Sequence, residues 1–111
     1  MTIRAERLQV YKAGPTTVVG FGGQVIVDDI SVADSRDEIL DVVRTNNAKV
    51  VAFDLTGVRL IPSGLLGLMA SLRHMALTIR VYNPSPEVRE VLSVTMFDRL
   101  VEVREVDTTA P

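Results

Sequence analysis

The residues of this 111-residue chain that could do chemistry are few. His74 is the single histidine, and cysteine is absent. Thiol catalysis, Cys-ligated metal sites and disulfide frameworks are therefore excluded, and one chain cannot assemble a histidine-clustered metal site. Ser–His chemistry has one histidine to draw on, and no paired-carboxylate motif has clear spacing, so catalysis finds little support. His74 itself reads as a surface or half-buried helix residue. Gly20-Phe21-Gly22-Gly23 is not a phosphate loop, because neither G-x-G-x-x-G nor G-x-x-x-x-G-K-[ST] occurs; a turn or bulge is expected there. Asp28 and Asp29 read as solvated loop. Asp54 falls near the carboxyl end of an apolar run, where open α/β sheets bind ligands, and where an Asp also caps the following turn.

Ser63 is the sharpest local feature. It sits where a strand–turn–helix unit begins its helix, so it reads as an N-cap or close to one, worth about 1 kcal/mol. The functional alternative is a modification or contact point. A phosphate there would add about two negative charges, which a helix N-terminus tolerates and a docked partner surface does not. Leu65, Leu66, Leu68 and Met69 follow closely, more large apolar side chains than one narrow stripe needs. Either Leu65 or Leu66 is partly exposed and joins an interaction patch, or the helix is buried on most sides.

These residues are positioned by an alternating series of elements. Residues 3–12 alternate partially, as in a half-exposed strand. Gly14-Pro15 marks a turn, and the β-branched run 16–21 makes a second strand, joined to the first as a hairpin. Residues 24–31 are ambiguous. Ser35-Arg36-Asp37-Glu38 matches a capping box, and Ile39, Val42 and Val43 recur at helical spacing until Asn46-Asn47. The apolar run 50–55 reads as a central strand covered on both faces. A helix follows Ser63, then a strand over 77–82. Ser85-Pro86-Glu87 starts a third helix, with Val88, Val91 and Leu92 as its stripe. Residues 100–106 alternate like a last, edge-like strand. The order β-β-α-β-α-β-α-β implies right-handed crossovers and a partly parallel sheet.

Composition sets the outer limits. Hydrophobic residues make up 47% and charged residues 23%, enough apolar content for one folded domain and too much for disorder. We expect a single domain over 1–106 and a polar tail over 107–111. Twelve Lys+Arg against fourteen Asp+Glu give a net charge of -2, so there is no broad basic field for nucleic acid. The first seven residues show no apolar signal region, and the uncharged runs 13–27 and 60–72 are shorter than a membrane helix needs. A cytoplasmic protein without membrane insertion is expected.

Val50-Val51-Ala52-Phe53-Asp54-Leu55-Thr56-Gly57-Val58, followed by Leu60-Ile61-Pro62-Ser63-Gly64-Leu65-Leu66-Gly67-Leu68, resembles the STAS domain of anti-sigma-factor antagonists. That family shows a strand ending Asp-Leu-Ser-Gly-Val, a short gap, then Asp-Ser-Ser-Gly-Leu-Gly opening a helix. Residues 81–92 and 97–103 resemble its C-terminal strand, helix and last short element. The chain departs from the pattern at Pro62, which stands where the acid before the serine is usual, and at Gly64 and Leu65. Gly67 keeps its place. The family's Gly-Glu-Leu-Asp signature is replaced loosely by Gly23-Gln24 and Asp28-Asp29.

The resemblance implies an α/β STAS-type fold, a small mixed sheet with about four helices packed on it. It implies protein–protein interaction in bacterial signalling rather than catalysis, without a cofactor. The expected partner is an anti-sigma factor or related serine kinase, with a homodimer left open. By position, Ser63 matches the serine whose phosphorylation breaks that contact. Pro62, Ser63, Gly64, Leu65 and Leu66, beside Asp28 and Asp29, are the expected partner-binding residues. The alternative is a STAS module that binds a nucleotide or lipid near Asp54 and Arg59, or a non-phosphorylated subunit of a transport or stress-signalling complex.

Overall fold

The apolar run that follows Lys49 forms the middle strand of a five-stranded sheet. The computed structural model describes residues 8–22 and 32–106. In chain order the elements are β1 (Gln9–Lys12), β2 (Thr16–Gly20), α1 (Val32–Asn46), β3 (Val50–Asp54), α2 (Ser63–Arg73), β4 (Thr78–Tyr82), α3 (Pro86–Val94), a 3₁₀ turn (Phe97–Arg99) and β5 (Glu102–Arg104). The strands lie side by side in sequence order. β1 and β2 pair antiparallel as the expected hairpin, and β2 through β5 are parallel. Each parallel step is a strand–helix–strand crossover, the arrangement that alternating strand and helix signals predict. The described residues hold three α-helices and one 3₁₀ turn, rather than about four helices.

Period-two alternation sorts the sheet into two unlike faces. Val19, Val51, Phe53, Ile79 and Val81 share one face, and all are essentially fully buried against the helices. The other face carries Val18, Ala52, Arg80 and Tyr82. Ala52 is fully buried there, but Arg80 is only partly so and pairs with Glu102 directly opposite it on β5, at 2.9 Å. The expectation of a β3 covered on both faces thus holds at Ala52, while the neighbouring strands turn polar groups to that side. Thr17 shares the core face with Val51, and its hydroxyl is satisfied by donating to the Gly14 carbonyl at 3.1 Å.

The start of α1 differs from the sequence reading. α1 begins at Val32, so the Ser35 capping box lies inside the helix and Ser35 is buried. Its end falls as expected: Asn47 adopts φ 52°, and Ala48 N–H donates to Val43 O at 3.0 Å, closing the last turn. α3 starts as expected. Ser85 is its N-cap, and its Oγ accepts from Val88 N–H at 3.1 Å.

Candidate functional site at the start of the second helix

The site lies at the carboxyl end of β3, where the chain must turn before α2 can pack on the sheet. Asp54 organises that turn. Its Oδ1 accepts from the Thr56 N–H at 3.0 Å and from the Thr56 hydroxyl at 2.6 Å. This is an Asx turn, the structural role open to such an Asp. Gly57 follows at φ 81°, a conformation that strains residues with a Cβ. Leu55 and Val58 are buried and pin the loop from beneath. Val58 N–H donates to Leu55 O at 2.9 Å.

Arg59 then leaves the loop and meets Glu87 in the first turn of α3, with Nη2 to Oε2 at 2.6 Å. The hydrogen bond from Arg59 holds the Glu87 carboxyl below the ordinary carboxylate range and raises Arg59 in turn. Both side chains are largely exposed, 67% and 47%, so the pair adds little stability. What it does is join the β3–α2 loop to α3. The two residues expected beside a ligand, Asp54 and Arg59, are thereby both engaged in holding the loop.

Pro62, not Ser63, is the N-cap of α2. Its extended backbone, φ -81° and ψ 156°, sets the chain up for the helix, and proline offers no capping side chain. Ser63 is therefore the first helical residue. It is exposed, and its hydroxyl makes no hydrogen bond among the described residues. Such a hydroxyl is sterically open to a phosphoryl donor, and the phosphate would stand at the positive end of the helix dipole.

Burial corrects the expected patch. Leu65 is fully buried and Leu66 is 9% exposed; with Leu68, Met69 and Leu72 they fill one broad stripe of α2. The stripe is wide because the helix packs against the core face of the sheet and beside α1. The outer side of α2 presents Ser63 and Gly67, both exposed, with the half-buried Gly64, Ala70 and Ser71 along its flanks. A Cβ at Gly67 would meet nothing within 4 Å. The accessible surface is thus small-residued and flat rather than leucine-rich. The sequence left open whether Leu65 or Leu66 joins an exposed patch or the core, because helical periodicity alone does not say how wide a stripe a sheet will cover.

Asn83 is the residue that sequence reasoning missed. At the end of β4, with φ 54°, it donates from Nδ2 to the Thr56 hydroxyl at 2.9 Å and to Val106 O at 2.8 Å, and accepts from Val106 N–H at 2.7 Å. One carboxamide thus links the loop after β3 to the chain after β5. The available signal was an Asn before Pro at a strand end, where asparagine tolerates positive φ. His74 lies at the opposite end of α2, exposed, where its N–H closes the helix on Ala70 O at 3.1 Å. Among the described residues, no group of three or more His, Cys, Asp or Glu could hold a metal ion. No described helix is long and apolar enough to cross a membrane. Asp28 and Asp29 lie outside the described residues.

The sequence matches the STAS domain family over residues 7–110, and the chain belongs to that family. No curated protein matches it. Among solved structures, an anti-sigma-factor antagonist (STAS) domain protein from Planctomyces limnophilus superposes with a TM-score of 0.72 at 20% identity, covering 90% of each chain. The anti-sigma factor antagonist SpoIIAA in its unphosphorylated form gives 0.69 at 18% identity, covering 92% of this chain and 88% of that one. The phosphorylated form of the Bacillus cell fate determinant SpoIIAA gives 0.62 at 18% identity, covering 92% and 91%. At these identities the likeness establishes the fold.

Proposed function

We propose that this STAS domain is a cytoplasmic, non-catalytic interaction module of bacterial signalling that binds an anti-sigma factor of the serine-kinase type and is switched off by phosphorylation of Ser63. The observation that carries the reading is Ser63 itself, the exposed first residue of α2 with a hydroxyl free of hydrogen bonds among the described residues. The structural neighbours include SpoIIAA in unphosphorylated and phosphorylated forms. Their switch comes to this chain by position alone.

The contact surface in this reading runs from Pro62, Ser63 and Gly64 along the small-residue side of α2 to Gly67. Leu65 and Leu66 act from beneath, by fixing the helix against the sheet. A flat surface lets a partner backbone approach α2 closely, and a dianion at Ser63 both fills that space and must be desolvated on docking. Binding is therefore expected for the unmodified protein and loss of binding for the phosphorylated one.

The test is a pull-down with purified serine-kinase-type anti-sigma factors from the same cell, followed by mass spectrometry after incubation with ATP. The proposal expects binding at about micromolar concentration and one phosphate on Ser63. Absence of binding to every such factor, with Ser63 unmodified throughout, would defeat it. The alternative of a nucleotide or lipid near Asp54 and Arg59 draws no support from a carboxylate and a guanidinium already engaged by Thr56 and Glu87.

A further inference from the structure

A groove opens at the amino-terminal edge of the sheet, at the far end of α2. Ten helical steps separate Arg73 from Ser63, about 15 Å at the usual rise, so the groove is remote from the phosphorylation surface. Its volume is about 400 Å³, within the range of small-ligand sites. Its polar lining comes from four elements: Arg73 ends α2, Thr78 opens β4, Arg99 ends the 3₁₀ turn and Glu102 opens β5. The apolar wall is narrow, because Leu77 and Val101 are buried and Leu100, at the margin, is the exposed leucine of the lining.

The charges in this lining do not cancel locally. Arg73 Nε donates to the Leu100 carbonyl at 3.1 Å, which tethers one edge of the guanidinium and leaves its terminal nitrogens without a carboxylate among the described residues. Arg99 has no ion pair among the described residues. Glu102, the acid in the lining, is engaged by Arg80 at 2.9 Å and Arg104 at 3.1 Å. Two guanidiniums and a hydroxyl beside an apolar wall have the chemistry to receive an oxyanion. A guanidinium fork matches the paired oxygens of phosphate and carboxylate, and the tether on Arg73 reduces the entropy lost on binding.

We propose that this groove binds a small ligand that carries a phosphate or carboxylate group on a compact apolar body. The anion sits between Arg73 and Arg99 within reach of Thr78, and the apolar body lies on Leu100. The site is independent of Ser63 and stays open when a partner occupies the other end of α2.

Amide chemical shifts of the full chain, titrated with phenyl phosphate, benzoate, inorganic phosphate and benzyl alcohol, test the proposal. Saturable shifts at Thr78, Leu100 and Val101 are expected with phenyl phosphate or benzoate, at about millimolar affinity. The stronger of the two identifies the oxyanion. Arg99→Gln, which removes no other side-chain bond, should weaken binding about five- to tenfold. Arg73→Gln should do the same, with thermal melts checking that its lost tether leaves the fold intact. No saturable shift, or an equal response to benzyl alcohol, overturns the proposal, as does undiminished binding to both arginine variants. Inorganic phosphate binding as tightly as phenyl phosphate overturns the apolar part of the ligand.

Discussion

Ser63 and Leu65 are two residues apart, and the structure gives them opposite tasks. The Ser63 hydroxyl is exposed with no bond to lose among the described residues, so Ser63→Ala should change stability by less than about 0.5 kcal/mol. Leu65 is fully buried, so Leu65→Ala should cost about 2–5 kcal/mol, the range for buried leucine truncations. Urea denaturation of the two variants measures both; equal destabilisation would contradict the assignment. Sequence reading located Ser63 correctly to within one position. Ser is a preferred cap, but the preceding residue is a proline already in extended geometry, so the helix begins one residue earlier than a serine cap would place it. The cap at Ser85 was legible because its determinants are local: a serine, a proline at the first helical position and an acid after it. The burial of Leu66 was not legible, since it depends on how α2 meets the sheet.

Among the elements, the carboxyl ends of β3, β4 and β5 are held together by side chains rather than by ladder bonds alone. Asn83 bridges Thr56 and Val106, so Asn83→Ala should release the chain after β5 before it unfolds the domain. Amide exchange near Val106 should accelerate at least tenfold, with a global cost of about 1–3 kcal/mol from the lost bonds and the positive φ. Exchange unchanged at Val106 would show that the carboxamide is dispensable. The Arg59–Glu87 pair joins the β3–α2 loop to α3 and has a pH signature. The folded state lowers the Glu87 pKa, chiefly through the hydrogen bond from Arg59. A depressed carboxyl contributes stability that is present above its unfolded pKa and lost as pH falls through the folded value. Wild type should therefore lose slightly more stability than Glu87→Gln on acidification below about pH 4, and the difference should vanish near neutrality in the slope rather than in the offset. The start of α1 at Val32 shows the limit of local signals. Ser35 belongs to a capping-box pattern, yet it is buried inside the helix, where tertiary packing outweighs the cap preference.

At the scale of the molecule, alternating signals along the chain defined the sheet: a hairpin, three crossovers and a middle strand at the apolar run 50–55. Chain order and strand order coincide, so α2 spans the sheet from the Ser63 end to the groove at Arg73 and Arg99. One helix thus separates the proposed partner surface from the proposed anion site. The groove left no pattern in the sequence, because Arg73, Thr78 and Arg99 come from three elements and meet only in the fold. The central claim is that charge at Ser63 controls partner binding, and calorimetric titration with a purified serine-kinase-type anti-sigma factor tests it most directly. Ser63→Ala should bind like wild type even after treatment with kinase and ATP. Ser63→Asp and phosphorylated wild type should bind at least about tenfold more weakly, a difference of about 1.4 kcal/mol. Equal affinity for all forms, with circular dichroism showing each one folded, would contradict the switch.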